Sequence, residues 1–272
     1  MLRTAIISFL LAMGALCSSE IPNFECLEKS QGAVIFLTTP KSGVNWVTGS
    51  LTAITRKPIS WLHWGRRVLN PVDSCRTHPS YNRIGLPLIT DRPLLYRTHR
   101  DFDQLRQLPS NKNKLIFLTR NPKELLFRKF FLTSTASVIE DPEFIRDFFE
   151  RYLQAFEVYD SWDPDNRMMF YYEDFIERDE EILLRLLAFM GEEPAYLDDF
   201  RMNKQLYAAK LLDSYKHQHQ HNFGGSSASE GPKAIHYTKG ISPEVLASID
   251  AYLEQRAPVI WEKYLKIFKT DL

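Results

Sequence analysis

Three short segments carry side chains suited to handling an anion. The first is Lys41-Ser42-Gly43, which follows the apolar, β-branched run Ala33-Val34-Ile35-Phe36-Leu37 and the turn residues Thr38-Thr39-Pro40. The second is Arg97-Thr98-His99, directly after Leu94-Leu95-Tyr96, and the third is Thr119-Arg120, after Lys114-Leu115-Ile116-Phe117-Leu118. A glycine that permits a tight turn, followed by a helix with free N-terminal amides, makes an anion cradle. Lysine adds a mobile point charge, and arginine a two-pronged grip on phosphate. Imidazole titrates near working pH and suits proton transfer. The first loop is not the GxxxxGK[ST] pattern, because its lysine precedes the glycine. A competing kinase reading is weakened on that ground.

The elements that must position these residues follow from the hydrophobic pattern. Apolar strands alternating with helices predict an α/β fold, with a central parallel sheet wound on both faces. In such sheets ligands bind beyond the carboxyl ends of the strands, where all three segments lie. Helices are expected over about 44–54, from Pro122, and from Pro142 with Phe144, Ile145, Phe148, Phe149, Tyr152, Leu153 and Phe156 on one side. Met168-Met169-Phe170-Tyr171 reads as a fourth strand. Asp179 is expected to cap a helix stopped by Gly191, another is expected over much of 194–214, and two more open at Ser242 and Pro258. Residues 55–92, broken by Pro58, Pro71, Pro79 and Pro87, read as an irregular functional insertion, and 217–233 as a loop. The alternating His217, His219 and His221 of that loop suit metal binding or a solvated tract. One domain over 31–272 is expected.

The chain has 272 residues and a formal net charge of zero, with 34 basic and 34 acidic side chains. That neutrality excludes a global polyanion binder, and no nucleic acid partner is expected. By segment the balance differs: residues 31–130 hold 17 basic and 5 acidic side chains, a net of +12, and residues 131–272 hold 15 and 26, a net of −11. Met1-Leu2-Arg3 and the apolar stretch Ala5 to Cys17 resemble a secretory signal peptide, cleaved near residue 19 and too short to span a bilayer. A secreted or lumenal protein is therefore expected, periplasmic or extracellular in a bacterium, with no stable membrane span. Cys26 and Cys75 would then remain, with one possible pairing. The oligomeric state is left open.

Four ordered motifs resemble a known family. Pro40-Lys41-Ser42-Gly43-Val44-Asn45-Trp46 is similar to the PKSGTTW loop of sulfotransferases that use 3′-phosphoadenosine-5′-phosphosulfate (PAPS). Arg97-Thr98-His99 is similar to their KTH, Arg120-Asn121-Pro122-Lys123-Glu124 to their RNPKD, and Tyr172-Glu173-Asp174 to their YED. The stretch Arg185 to Gly191 resembles their helix ending in FLG. The resemblance implies a P-loop-like nucleotide-binding fold and sulfuryl transfer from PAPS to an acceptor hydroxyl or amine, releasing 3′-phosphoadenosine-5′-phosphate (PAP). It implies that Lys41 neutralises charge on the leaving oxygen, that the amides of Ser42, Gly43, Val44 and Asn45 hold the 5′-phosphate, and that Arg120 grips the 3′-phosphate. His99 would be the general base. Trp46 would stack on adenine, or simply belong to the core, and Tyr172 would contact the base or pack. Glu173 and Asp174 read as structural, fixing the strand end or capping, and not as catalytic. No metal is required.

The chain also departs from the family. Val44 replaces a phosphate-binding threonine, and Asn45 another, although Asn45 can still donate. Arg128 stands where the family has a serine on the 3′-phosphate. The RKGxxGxWK loop is reduced to Thr238-Lys239-Gly240-Ile241-Ser242, leaving Lys239 and Gly240 as its candidates. A catalytically inactive PAP- or PAPS-binding protein is thus an alternative. The acceptor is a small molecule, a glycan or a peptide; the basic and aromatic residues of 55–100, among them Arg66, Arg67, Trp61 and Trp64, suit an anionic or an aromatic one.

Overall fold

The structure is a computed structural model and describes residues 32–62, 84–90, 93–99, 102–133, 142–218 and 238–270. The expected signal peptide, Cys26, Cys75, most of the basic 63–83 segment and His219 and His221 lie outside the described residues.

The apolar run after Gly32 forms β1 (Val34–Thr38), buried at every position. Such a strand needs cover on both faces, and β1 has it at the centre of a five-stranded, all-parallel sheet of order β2-β3-β1-β4-β5. Its neighbours are β3 (Leu95–Thr98) and β4 (Lys114–Thr119); β2 (Ile59–Trp61) and β5 (Arg167–Tyr171) form the edges. The helices are α1 (Val44–Thr55), α2 (Phe102–Gln107), α3 (Pro122–Thr133), α4 (Pro142–Ser161), α5 (Tyr172–Glu177), α6 (Asp179–Met190), α7 (Leu197–Gln218) and α8 (Pro243–Arg256). Strand alternation divides β1 between two cores. Ile35 and Leu37 join residues of α2, α3, α4 and α8, whereas Phe36 joins those of α1, α6 and α7.

Register brings the strand exits level. Leu37 stands opposite Thr98, Thr38 opposite Leu118, and Thr119 opposite Tyr171. At about 4.8 Å between strands, the β3 and β4 exits flank the β1 loop at a separation of about 10 Å. His99, Lys41-Ser42-Gly43, Arg120 and Tyr172 therefore leave the sheet along one edge.

Local signals mostly act as the sequence implies. Gly191 takes a left-handed conformation (φ 75°) and ends α6, with Glu192 N–H donating to the Leu187 carbonyl at 2.9 Å. Ser242 caps α8 by accepting from the Val245 amide. Three expectations are corrected. Asp179 is the first residue of α6 and not its cap; the cap is Arg178, without a side-chain bond, and the Asp179 charge instead favours the positive helix end. The region read as irregular contains β2, paired in parallel with β3. Pro258 opens only a single α-turn, Pro258–Ile260, which widens to a π-turn over Trp261–Leu265 and buries Trp261.

Candidate functional site

The β1–α1 loop closes on itself and on β4. The Thr39 amide donates to the Leu118 carbonyl at 3.2 Å and the Ser42 amide to the Thr39 carbonyl at 3.2 Å. Lys41 (φ 71°) and Gly43 (φ 86°) are both left-handed, and Gly43 is the α1 N-cap with no side-chain cap. The helix thus presents uncapped amides at its start. Ser42 and Thr39 are buried, and neither hydroxyl has a hydrogen-bond partner among the described residues. Buried hydroxyls left unsatisfied cost about 1–3 kcal/mol each, so this cradle suits an acceptor-rich anion such as a phosphate. Lys41 is exposed at its rim, Val44 is buried, and Asn45 is half-buried with its side-chain oxygen accepting from Arg97 Nη1 at 2.7 Å. Trp46 is buried among the α1-face core residues, and its indole N–H has no acceptor among the described residues.

Gly43 is required by its neighbour as well as by its backbone. A Cβ there would lie 2.0 Å from Tyr172 Cε2. Gly43→Ala combines that overlap with a left-handed φ, and is expected to destabilise the protein by about 2–4 kcal/mol in urea unfolding. Adding Tyr172→Ala should recover the part due to overlap; an unchanged midpoint for Gly43→Ala alone would contradict this packing.

Tyr172, the first residue of α5, links that loop to the next strand exit, since the Arg120 guanidinium carbon lies 4.9 Å from its ring centroid. Arg120 is 4% exposed, 3.6 Å from Glu124 and 3.7 Å from Glu173. Burial, and then the charge of Arg128, press Arg120 below the ordinary guanidinium range, while Glu173, Tyr172 and Glu124 act the other way. The positive charge of Arg128 thus bears on the buried Arg120 guanidinium, and a bound phosphate would offset it.

Glu173 accepts from the Asn121 amide at 3.0 Å. Its expected structural part in fixing the strand end agrees with that bond. Burial, its largest influence, holds its carboxyl above the ordinary range, against the Asn121 bond and Arg120. The folded state therefore takes this proton more readily than the unfolded chain. The resulting stability is fully present below about pH 4 and is lost as pH rises through the raised value. Glu173→Gln keeps the acceptor and should flatten the fall of the urea midpoint over that window; an unchanged slope would show that other groups set it.

The reduced C-terminal loop reaches the same place. Glu124 Oε1 accepts from both the amide and the hydroxyl of Thr238, while Oε2 faces Arg120. Lys239 and Gly240 (φ 90°) follow at the surface. Lys123 turns away, into a buried ion pair with Asp250 that also engages the Phe268 carbonyl and Thr270. His99 stands half-buried at the β3 exit. Glu124 and Thr238 carry no part that the sequence assigns, and Arg97 was expected only among the acceptor-side basic residues of 55–100. The spacing of Glu124 four residues after Arg120 was an available helix-pair signal; the Thr238 bond had none. Among the described residues no cluster of metal-ligating side chains occurs and no helix is long and apolar enough to cross a membrane.

Comparison with known proteins gives concordant results. The family model described as "Sulfotransferase domain" matches residues 31–255. Mouse (Mus musculus) sulfotransferase 2A2 is 26% identical over 179 residues, which cover 58% of this chain and 59% of the relative. Human (Homo sapiens) sulfotransferase 2A1 is 26% identical over 198 residues, covering 65% and 66%. The match thus spans about three-fifths of the length of these curated relatives. Among solved structures, mouse sulfotransferase SULT7A1 complexed with PAP superposes at a TM-score of 0.50 with 15% identity, covering 89% of this chain and 91% of that one. A retinol dehydratase in a complex with retinol and PAP superposes at 0.51 with 12% identity, covering 82% and 80%. At those identities the superpositions establish the α/β fold, whereas the family model spans most of the chain. The chain belongs to the sulfotransferase domain family.

Proposed function

We propose that this protein transfers a sulfuryl group from PAPS to an acceptor hydroxyl or amine. The observation that carries the reading is the meeting, on adjacent strand exits, of an uncapped helix N-terminus with buried unsatisfied hydroxyls and the buried guanidinium of Arg120. Those are two separate anion sites, and PAPS is anionic at both ends of its adenosine. When bound, PAPS supplies an activated sulfuryl group. The amides of Gly43 to Asn45 and the Ser42 hydroxyl hold the 5′ end, the Ser42 amide being engaged by the Thr39 carbonyl, and Arg120 with Arg128 holds the 3′-phosphate. Thr238, bound to Glu124, keeps Lys239 and Gly240 beside the arginines. Lys41 stabilises negative charge at the rim of the cradle, and His99 takes the acceptor proton. Trp46 and Tyr172 wall the site between the two anion ends. The leader reading of residues 1–19 extends the proposal to a secretory route.

The test is incubation of the purified protein with radiolabelled PAPS and a panel of alcohols, phenols, glycans and hydroxyl-bearing peptides. Label should pass to at least one acceptor with an equal amount of PAP released. Binding of PAP without transfer across the panel would reduce the reading to a nucleotide-binding protein.

A further inference from the structure

Arg97 lies opposite Phe36 in the β1–β3 register, and Phe36 belongs to the core on the α1 face. Strand alternation therefore sends the Arg97 side chain to that face, beneath the first turn of α1. There its Nη1 donates to Asn45 Oδ1 at 2.7 Å, across 52 residues of sequence. Guanidinium has donors only, so the amide can be oriented in one way: the oxygen faces Arg97 and the NH₂ group is turned from it. Asn45 is the second residue of α1, next to the uncapped amides and the unsatisfied Ser42 hydroxyl. A free amide would have to give up that rotational freedom to present its NH₂ group to an incoming anion.

We propose that Arg97 is a positioning residue: by holding the Asn45 carbonyl oxygen, it commits the Asn45 NH₂ group as a donor to the anion bound at the α1 N-terminus. The ligand group is a phosphate or sulfonate oxyanion, and the inference rests on the proposed placement of the PAPS 5′ end at this turn. It accounts for a side chain at position 45 that lacks a hydroxyl and yet serves the loop.

The experiment is a double-mutant cycle read by calorimetric titration of the full chain with PAP. Asn45→Ala should weaken PAP binding about tenfold, the loss of one hydrogen bond to a charged group. Arg97→Met should weaken it by a similar factor in the wild-type background and by less than threefold in the Asn45→Ala background, because its effect passes through Asn45. Asn45→Asp keeps the Arg97 contact while replacing the donor by an anionic oxygen, and should bind more weakly than Asn45→Ala. That variant sits at an acid-tolerant helix start and covers the case in which Arg97→Met does not fold. Additive effects, or an Asn45→Asp affinity equal to wild type, overturn the positioning role while leaving the PAPS reading intact. A wild-type protein that binds no PAP overturns the PAPS reading itself.

Discussion

His99→Ala is expected to lower sulfuryl transfer by about 10²–10⁴-fold, the range for loss of a positioned general base, with PAP affinity unchanged within about twofold. The separation follows from the sheet. His99 leaves β3, on one side of the β1 loop, whereas Arg120 leaves β4 on the other side. In the proposed placement, a group on the β3 side faces the acceptor and not the 3′ end of the nucleotide. His99 is half-buried at the end of a strand, so folding should be largely conserved. Transfer rates with saturating PAPS, beside PAP titrations, read both quantities. An unchanged rate would remove His99 from the base role, and a loss of PAP affinity would move it into the nucleotide site.

Lys41→Gly separates chemistry from folding at a second position. Lys41 is exposed and holds φ at 71°, which costs an L-residue about 1–2 kcal/mol. Glycine removes that cost and adds about 0.5–1 kcal/mol of backbone entropy, so the unfolding midpoint should be kept or slightly raised. Transfer should nonetheless fall by about 10²–10³-fold, as for removal of one charge-stabilising donor from a transition state. A left-handed φ at an exposed lysine is backbone strain of the kind that clusters at functional sites. Transfer within a few-fold of wild type would place that charge outside the reaction.

The parts of the fold that were legible in the sequence are those written in local pattern. β1, β3, β4 and β5 are short apolar runs that end in Thr-Thr-Pro, Arg-Thr-His, Thr-Arg and Tyr-Glu-Asp, and the parallel order follows from the helices between them. Gly191 and Ser242 end and begin helices by single-residue chemistry. β2 was not legible: Ile59-Ser60-Trp61 is too short for a period and is specified by pairing with β3, more than thirty residues later. At the site, the cation positions were legible because they sit at strand exits. Their partners were not. Asn45 with Arg97, and Glu124 with Thr238, meet across 52 and 114 residues, and no spacing rule carries a bond of that range. Gly43 was read as a turn residue, and the larger reason for it, the Tyr172 ring against its Cα, exists only in three dimensions.

The most direct test of the central claim is calorimetric titration of the full chain with PAP and, in parallel, with adenosine 5′-monophosphate, which lacks the 3′-phosphate. Two anion sites on adjacent strand exits predict saturable PAP binding, with the monophosphate weaker by about 100-fold or more, the worth of a charge-assisted arginine contact. No detectable heat with PAP at millimolar concentration, or equal affinity for the two nucleotides, would contradict the account.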